Sequence, residues 1–285
     1  GGPGGYYTQD EFRGLVAFAA ERHVTLIPEI DFPGHAHAAL ASYPALNESG
    51  VAAELYTGEA VITTPLWLAG PETARFVADV WHEVAALSPA SVVHIGGDEA
   101  IDTSDADYRA FVQSLQATVA LDGKELLGWD EIGIVPLNSP FLAQYWYDAD
   151  NAREAVKNGA RIIASPAEYA YFDMIQSPGA AYGQVWAGIV GSEQAYEWDP
   201  ELEGVSGVDI AGVEACAWTE YIDDEEKLDF MLWPRLAALA EVGWTLPGER
   251  DWAGFSERLG WHGARLDVLG VGYYRTVEVE WMSAL

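Results

Sequence analysis

Residues 91–100 read SVVHIGGDEA. Val92, Val93 and Ile95 make a short β-branched run, and a run of this kind bounded by glycine reads as a buried strand. It stops at two adjacent acids, Asp98 and Glu99. Successive side chains on a strand point to opposite faces, so these two can face one way only if the chain has already left the strand. Gly96 and Gly97 permit that turn and leave space for a ligand. Two carboxylates held close together do not both ionise easily, so one tends to keep its proton and can serve as an acid.

Outward from this stretch, short apolar runs alternate with segments of helical period. Upstream, YTQDEFRGLVAFAAERH (7–23) predicts a helix with Thr8 as N-cap, Glu11 three residues on, and Phe12, Leu15, Val16 and Ala19 on one face. VTLIPEIDFPGH (24–35) reads as the strand that follows, and PETARFVADVWHEVAALSP (71–89) as the next helix. Downstream come a helix near Tyr108–Leu121, strands in KELLGWDE (124–131) and PFLAQYWYD (140–148), and a helix over Ala152–Asn158. Strands in ARIIASP (160–166) and VDIAGVEACAWTE (208–220) follow, and a last long helix is expected around Pro234–Val242, with the proline in its first turn. Strands alternating with helices imply parallel β-structure, with roughly six strand units by this reading. No linker, low-complexity segment or short repeat divides the chain, so a single domain over 1–285 is expected.

The carboxyl ends of these strands carry one kind of chemistry: Glu29, Asp31 and His35; Asp98 and Glu99; Trp129, Asp130 and Glu131; Trp146, Tyr147 and Asp148; Tyr171 and Asp173; Trp218 and Glu220. In a (β/α) barrel those ends share one face, where active sites lie. Singly, each acid reads as a helix cap or a solvated loop residue, each histidine as structural, and each Trp as core. Six consecutive strand ends with the same character argue for a site.

Composition narrows what that site takes. With 14 basic and 45 acidic residues the net charge is −31, which repels nucleic acid and anionic membrane and favours a neutral or cationic partner. The single Cys216 excludes an internal disulfide and lacks the spacing of a zinc site, so no metal or cofactor is expected. No run approaches a membrane span, and the amino terminus has neither the basic nor the apolar part of a signal peptide. Twelve Trp and fourteen Tyr supply faces on which sugar rings stack, though core packing uses the same residues.

The stretches YYTQDEFRGLVAFAAERHVTLIPEIDFPGHAHAAL, HIGGDE, GWDE, YFDM and WTEY, in this order, resemble the catalytic domain of glycoside hydrolase family 20, the β-N-acetylhexosaminidases, from about Tyr6 to Tyr274. The resemblance implies a TIM-type (β/α) barrel and hydrolysis of terminal β-linked GlcNAc or GalNAc with substrate-assisted catalysis through an oxazolinium ion. It implies that Glu99 is general acid and then base, that Asp98 orients the 2-acetamido group, and that Tyr171 bonds the acetamido oxygen. Trp129, Trp146 and Trp218 would enclose the acetamido methyl and sugar ring, Asp173 and Glu220 would bind hydroxyls at the far end, and His35, Asp31 and His94 would support the acids.

Against that pattern the chain is expected to be an amino-terminally truncated barrel with about six of eight strands, Gly1 being an internal point of a longer chain. With the first two strands would go the arginine that grips the terminal sugar in the family. A six-strand barrel leaves edges to cover, so a homodimer closing the open side is one expectation. The expected partners are N-acetylhexosamine-terminated glycans or chitooligosaccharides, without nucleic acid or membrane. A disaccharide-releasing relative of lacto-N-biosidase type and a non-catalytic sugar-binding remnant remain alternative readings.

Overall fold

In a computed structural model of the chain, residues 5–58, 60–138, 140–201 and 208–282 are described. The expectation about Gly1 falls outside them. They pack as two compact units, 1–144 with 148–161, and 145–147 with 162–285.

The first unit carries strands β1 (Val92–His94), β2 (Glu125–Trp129) and β3 (Phe141–Tyr145, whose last residue belongs to the second unit). They pair in parallel, Val93 opposite Leu126 and Leu127 opposite Leu142. Their residues are buried almost without alternation, the pattern of parallel strands covered on both faces. Around them lie helices α1 (Gln9–Ala20), α2 (His37–Ser42), α3 (Thr73–Leu87), α4 (Asp105–Leu121) and α5 (Ala149–Lys157).

The local signals explain the helix starts. Thr8 Oγ1 accepts from the Glu11 amide and the Glu11 carboxylate accepts from the Thr8 amide, the expected capping box. Ser104 and Asp148 cap α4 and α5 by side-chain acceptance alone, from the Asp107 and Asp150 amides. Helical spacing then sets the buried faces: Val77, Trp81 and Ala85 on α3, and Tyr108, Val112, Leu115 and Val119 on α4. Val112 and Leu115 are wholly inaccessible, and burial of each stabilises by about 1.5–3 kcal/mol.

The second unit holds β4 (Arg161–Ala164, entering at Ile162) and β5 (Ile210–Val213), which pair in parallel with a register shift between Ile162 and Ile163. It also holds α6 (Ala167–Ala170), α7 (Glu225–Leu232), α8 (Arg235–Trp244) and α9 (Trp252–Leu269). No helix among the described residues is long and apolar enough to cross a membrane.

Three expectations are corrected. Among the described residues there are five named strands rather than six, because 24–35 forms only an isolated bridge, Glu29 to His94. That segment exchanges three bonds with the β1 region: His94 N–H to Pro28 O, Ile30 N–H to His94 O, and Phe32 N–H to Ile95 O. Pro28 and Pro33 have no N–H to extend the ladder, so it stops there. The helix expected at 234–242 forms as α8, but the last long helix is α9. Its glycines depress helix propensity yet are required by close packing, since a Cβ on Gly260 would lie 2.2 Å from the Glu280 carbonyl oxygen. The expected strand 208–220 is only four residues long, and Cys216 reappears as a lone bridge to Tyr171.

Candidate active site

The turn after β1 resolves how adjacent acids can face one way. The strand ends at His94, and Gly96 (φ +68), Gly97 (φ +97) and Glu99 (φ +47) then take left-handed backbone. Glu99 is not glycine, and that conformation costs a non-glycine residue of order 1–3 kcal/mol. As a result both carboxylates meet one imidazole: His35 Nε2 lies 3.2 Å from Asp98 Oδ2 and 3.4 Å from Glu99 Oε2. The two acids differ in access, with side-chain exposures of 13% for Asp98 and 36% for Glu99. His35 is itself in a left-handed conformation (φ +49), and its Nδ1–H donates to the Ile62 carbonyl at 3.0 Å, which fixes Nε2 toward the acids.

Asp31 lies beneath the same turn. It accepts from the Gly97 amide at 3.0 Å, and ligand atoms of Asp31, His35 and Asp98 lie within 4.8 Å of one another. Burial, then the neighbouring Asp98, push the Asp31 carboxyl far above the carboxylate range. Burial also pushes Asp98 up, but hydrogen bonds with His35 and Asp31 outweigh it and hold Asp98 low. His35 is raised in turn, first by its hydrogen bond with Asp98. The charge count agrees: the described partners of this acid cluster include one imidazole and no Arg or Lys. Asp31 therefore holds a proton and Asp98 the negative charge. The spacing of these three residues would also suit a cation; the proton kept by Asp31 lowers the negative charge gathered there.

His94 and Glu29 approach to 3.4 Å without forming an ion pair. His94 Nδ1 accepts from the Gly96 amide, and burial pulls the ring down to about 4, so it is neutral at physiological pH. Trp129, 3% exposed, donates its indole N–H to Glu29 at 3.0 Å and packs its ring against His94. Asp130 and Asp148 follow the plainer reading: buried Asp130 accepts from the Asp148 amide and Asn151, and Asp148 caps α5.

Gly96 is where this arrangement is most exposed to change. A Cβ there would lie 1.9 Å from Asp31 Oδ1, on a backbone that already disfavours side chains. Gly96→Ala should cost roughly 2–5 kcal/mol, adding left-handed strain to overpacking. Urea unfolding checks this, and a loss below about 1 kcal/mol would mean that Asp31 does not hold this position.

The second unit gathers aromatic rings around Tyr171, which is 2% exposed. Trp146 stacks on it at 6.0 Å, Trp218 lies at 6.3 Å, and Trp186 meets it edge-on at 5.6 Å. Trp186 was not singled out from sequence. It stands in GQVWAGIVG (183–191), which has no strand or helix period, and its only signal is a large aromatic flanked by small residues in a loop. Trp186 and Trp218 remain 48% and 38% exposed, so their faces are available to a ligand. Tyr147, 70% exposed, packs its ring against Trp146 at 5.1 Å. Asp173 is buried, Glu220 is exposed, and burial raises Asp173 to about 6.

Comparison with known proteins finds relatives within one family. A family model described as "Glycosyl hydrolase family 20, catalytic domain" matches residues 2–108 and 101–247. A β-N-acetylhexosaminidase of Cellulomonas fimi is 40% identical over 99% of this chain and 58% of its own length, and a β-hexosaminidase of Porphyromonas gingivalis is 32% identical over 95% and 38%. Among solved structures, the GH20 β-N-acetylhexosaminidase of Streptomyces coelicolor A3(2) matches with a TM-score of 0.95 at 40% identity, over 99% of this chain and 59% of that one. The N-acetyl-β-hexosaminidase of Streptomyces plicatus, solved with Thio-NAglucal, gives 0.95 at 42%, over 99% and 58%. The chain thus spans less than two thirds of the length of these relatives.

Proposed function

The chain belongs to glycoside hydrolase family 20, and on that premise we propose that it takes part in the hydrolysis of terminal β-linked N-acetylhexosamine, with retention and with the substrate's own acetamido group as nucleophile. The observation that carries the proposal is one imidazole nitrogen within 3.4 Å of two acids that differ in access. Families 18 and 20, which use substrate-assisted catalysis, are among the exceptions to the two-carboxylate scheme of glycoside hydrolysis, and an acid pair consisting of one buried charge and one accessible carboxyl suits that exception. A relative from Streptomyces plicatus, 41% identical, was solved with product GlcNAc.

In the proposed reaction Glu99 gives its proton to the glycosidic oxygen as the bond to the anomeric carbon breaks. The acetamido carbonyl oxygen attacks that carbon from the other face and closes an oxazolinium ring. Asp98 accepts from the acetamido N–H, aligns the carbonyl and balances the positive charge; its neighbours His35 and the protonated Asp31 keep it charged and fixed. Glu99 then takes a proton from the water that reopens the ring. Tyr171 would bond the acetamido oxygen, Trp129, Trp146 and Trp218 would cover the methyl and the ring, and Asp173 and Glu220 would hold distal hydroxyls. Trp186 joins them because it completes the rings around Tyr171.

Incubation with a fluorogenic aryl β-N-acetylglucosaminide, its galacto epimer and an aryl lacto-N-bioside tests the proposal. Release from either monosaccharide supports it. Release from the lacto-N-bioside alone would replace it with disaccharide release, and sugar binding without release would make the chain a binding module.

A further inference from the structure

Arg235, the first residue of α8, is fully buried. Its guanidinium makes no ion pair among the described residues, and every bond it donates goes to a backbone carbonyl. Nε donates to Met231 O at 2.9 Å, Nη1 to Met174 O at 2.9 Å and Val190 O at 2.7 Å, and Nη2 to Phe172 O. Two of these acceptors, Phe172 and Met174, flank Asp173. The guanidinium also lies 4.7 Å from the centre of the Phe172 ring. Between the two clamped carbonyls, both carboxylate oxygens of Asp173 are buried and form no side-chain hydrogen bond among the described residues; the only donors near them are the backbone amides of Asp173 itself and Trp218, which favour the charged form. A buried charge in that condition costs several kcal/mol unless something offsets it.

We propose that Arg235 is the positioning residue of Asp173: it fixes the backbone on both sides of the carboxylate and supplies a buried positive charge through space, leaving both oxygens unpaired for the hydroxyl donors of a sugar. The sugar is the one assigned above, so the identity of the ligand rests on that reading, while the coupling of the two side chains does not. A guanidinium that bonded the carboxylate directly would occupy the oxygens a ligand needs. One that spends its donors on carbonyls leaves them vacant and still compensates the charge.

The surroundings of Asp173 make the coupling measurable. Burial raises it; its own amide and that of Trp218 lower it, Glu220 raises it, and Arg235 lowers it. In the other direction, burial pulls Arg235 down to about 9, with Asp173 opposing. Removing the guanidinium takes away one of the groups that lower Asp173 while burial and Glu220 still raise it, so Asp173 should take up its proton at higher pH.

The experiment is a carboxyl-¹³C NMR titration of protein labelled at aspartate, with the Asp173 resonance identified by its loss in Asp173→Asn. Arg235→Met should raise the Asp173 midpoint by about one to three pH units, and Arg235→Lys, which keeps the charge but not the planar fork, should restore most of that shift. In enzyme that turns over, Arg235→Met should raise KM for the sugar more than it lowers kcat. An unchanged Asp173 midpoint in folded Arg235→Met would overturn the proposal. If Arg235→Met does not fold, the stability of Asp173→Asn decides. The proposal expects a loss at neutral pH, because the change strands a buried guanidinium, and a variant as stable as wild type or more so would overturn it. The titration needs no turnover, so an inactive chain would count against the proposed function alone.

Discussion

Glu99→Gln will reduce hydrolysis of aryl β-N-acetylglucosaminides by about 10²–10⁴-fold when the leaving group is a poor one such as phenol, and far less when it is dinitrophenol. Gln has the shape of Glu and no proton to give, and it occupies the same left-handed backbone at position 99 without a change in branching. The substitution therefore removes proton transfer while keeping the packing around His35. Phenolate leaves slowly unless its oxygen is protonated as the bond breaks, whereas dinitrophenolate is stable enough to leave unaided. Glu99 is also the more accessible acid of the pair, 36% exposed against 13% for Asp98, as the group that meets an outward-pointing glycosidic oxygen should be. Thermal melts of the variant confirm that it is folded, and kcat/KM across a series of leaving groups gives the answer. Equal losses at both ends of the series would remove Glu99 from the role of acid.

Much of this site was legible because its signals are local. Gly96, Gly97, Asp98 and Glu99 are consecutive, and the inference that the strand must end before the acids needed only side-chain alternation. The Thr8–Glu11 capping box was readable for the same reason, since both partners lie within one turn. Where the sequence misled, competition from another scale was responsible. Residues 24–35 look like a strand by composition, but Pro28 and Pro33 withhold the donors a ladder needs, a conflict visible only once β1 is found to be three residues long. Helix α9 was hidden by glycines whose purpose is close approach to the chain near Glu280. Trp186 and Arg235 were missed for a third reason. Neither belongs to a motif, and each gains meaning only from partners far along the chain: Tyr171 and Trp146 for the first, and the carbonyls of Phe172, Met174 and Val190 for the second.

A sugar with a 2-hydroxyl in place of the 2-acetamido group will be almost inert, and this is the larger of the two expected effects. The substitution removes the nucleophile itself, and no described protein group is assigned to replace it. A well-oriented intramolecular attack can supply ~7–11 kcal/mol of the barrier, against about 3–5 for loss of general-acid help at 10²–10⁴-fold. Asp98 is what makes the attack oriented. Hydrogen bonds with His35 and Asp31 outweigh burial and keep Asp98 charged, so it meets the acetamido N–H as a fixed acceptor. Asp98→Ala should therefore weaken a thiazoline mimic of the oxazoline more than it weakens GlcNAc, because the mimic resembles the state Asp98 stabilises. Asp98→Asn should fall short of wild type as well: an amide keeps the size of the carboxylate but cannot balance the charge that grows on the ring. The measurement compares aryl β-glucoside with aryl β-N-acetylglucosaminide, together with mass spectrometry after exposure to a 2-fluoro sugar. Comparable rates on the two sugars, or a glycosyl ester trapped on Asp98, would transfer the nucleophile from the substrate to the protein. Asp98 would then have to attack the anomeric carbon while held by His35 and beneath the Asp31 proton, and the same hydrogen bonds that keep it charged would weaken it as a nucleophile.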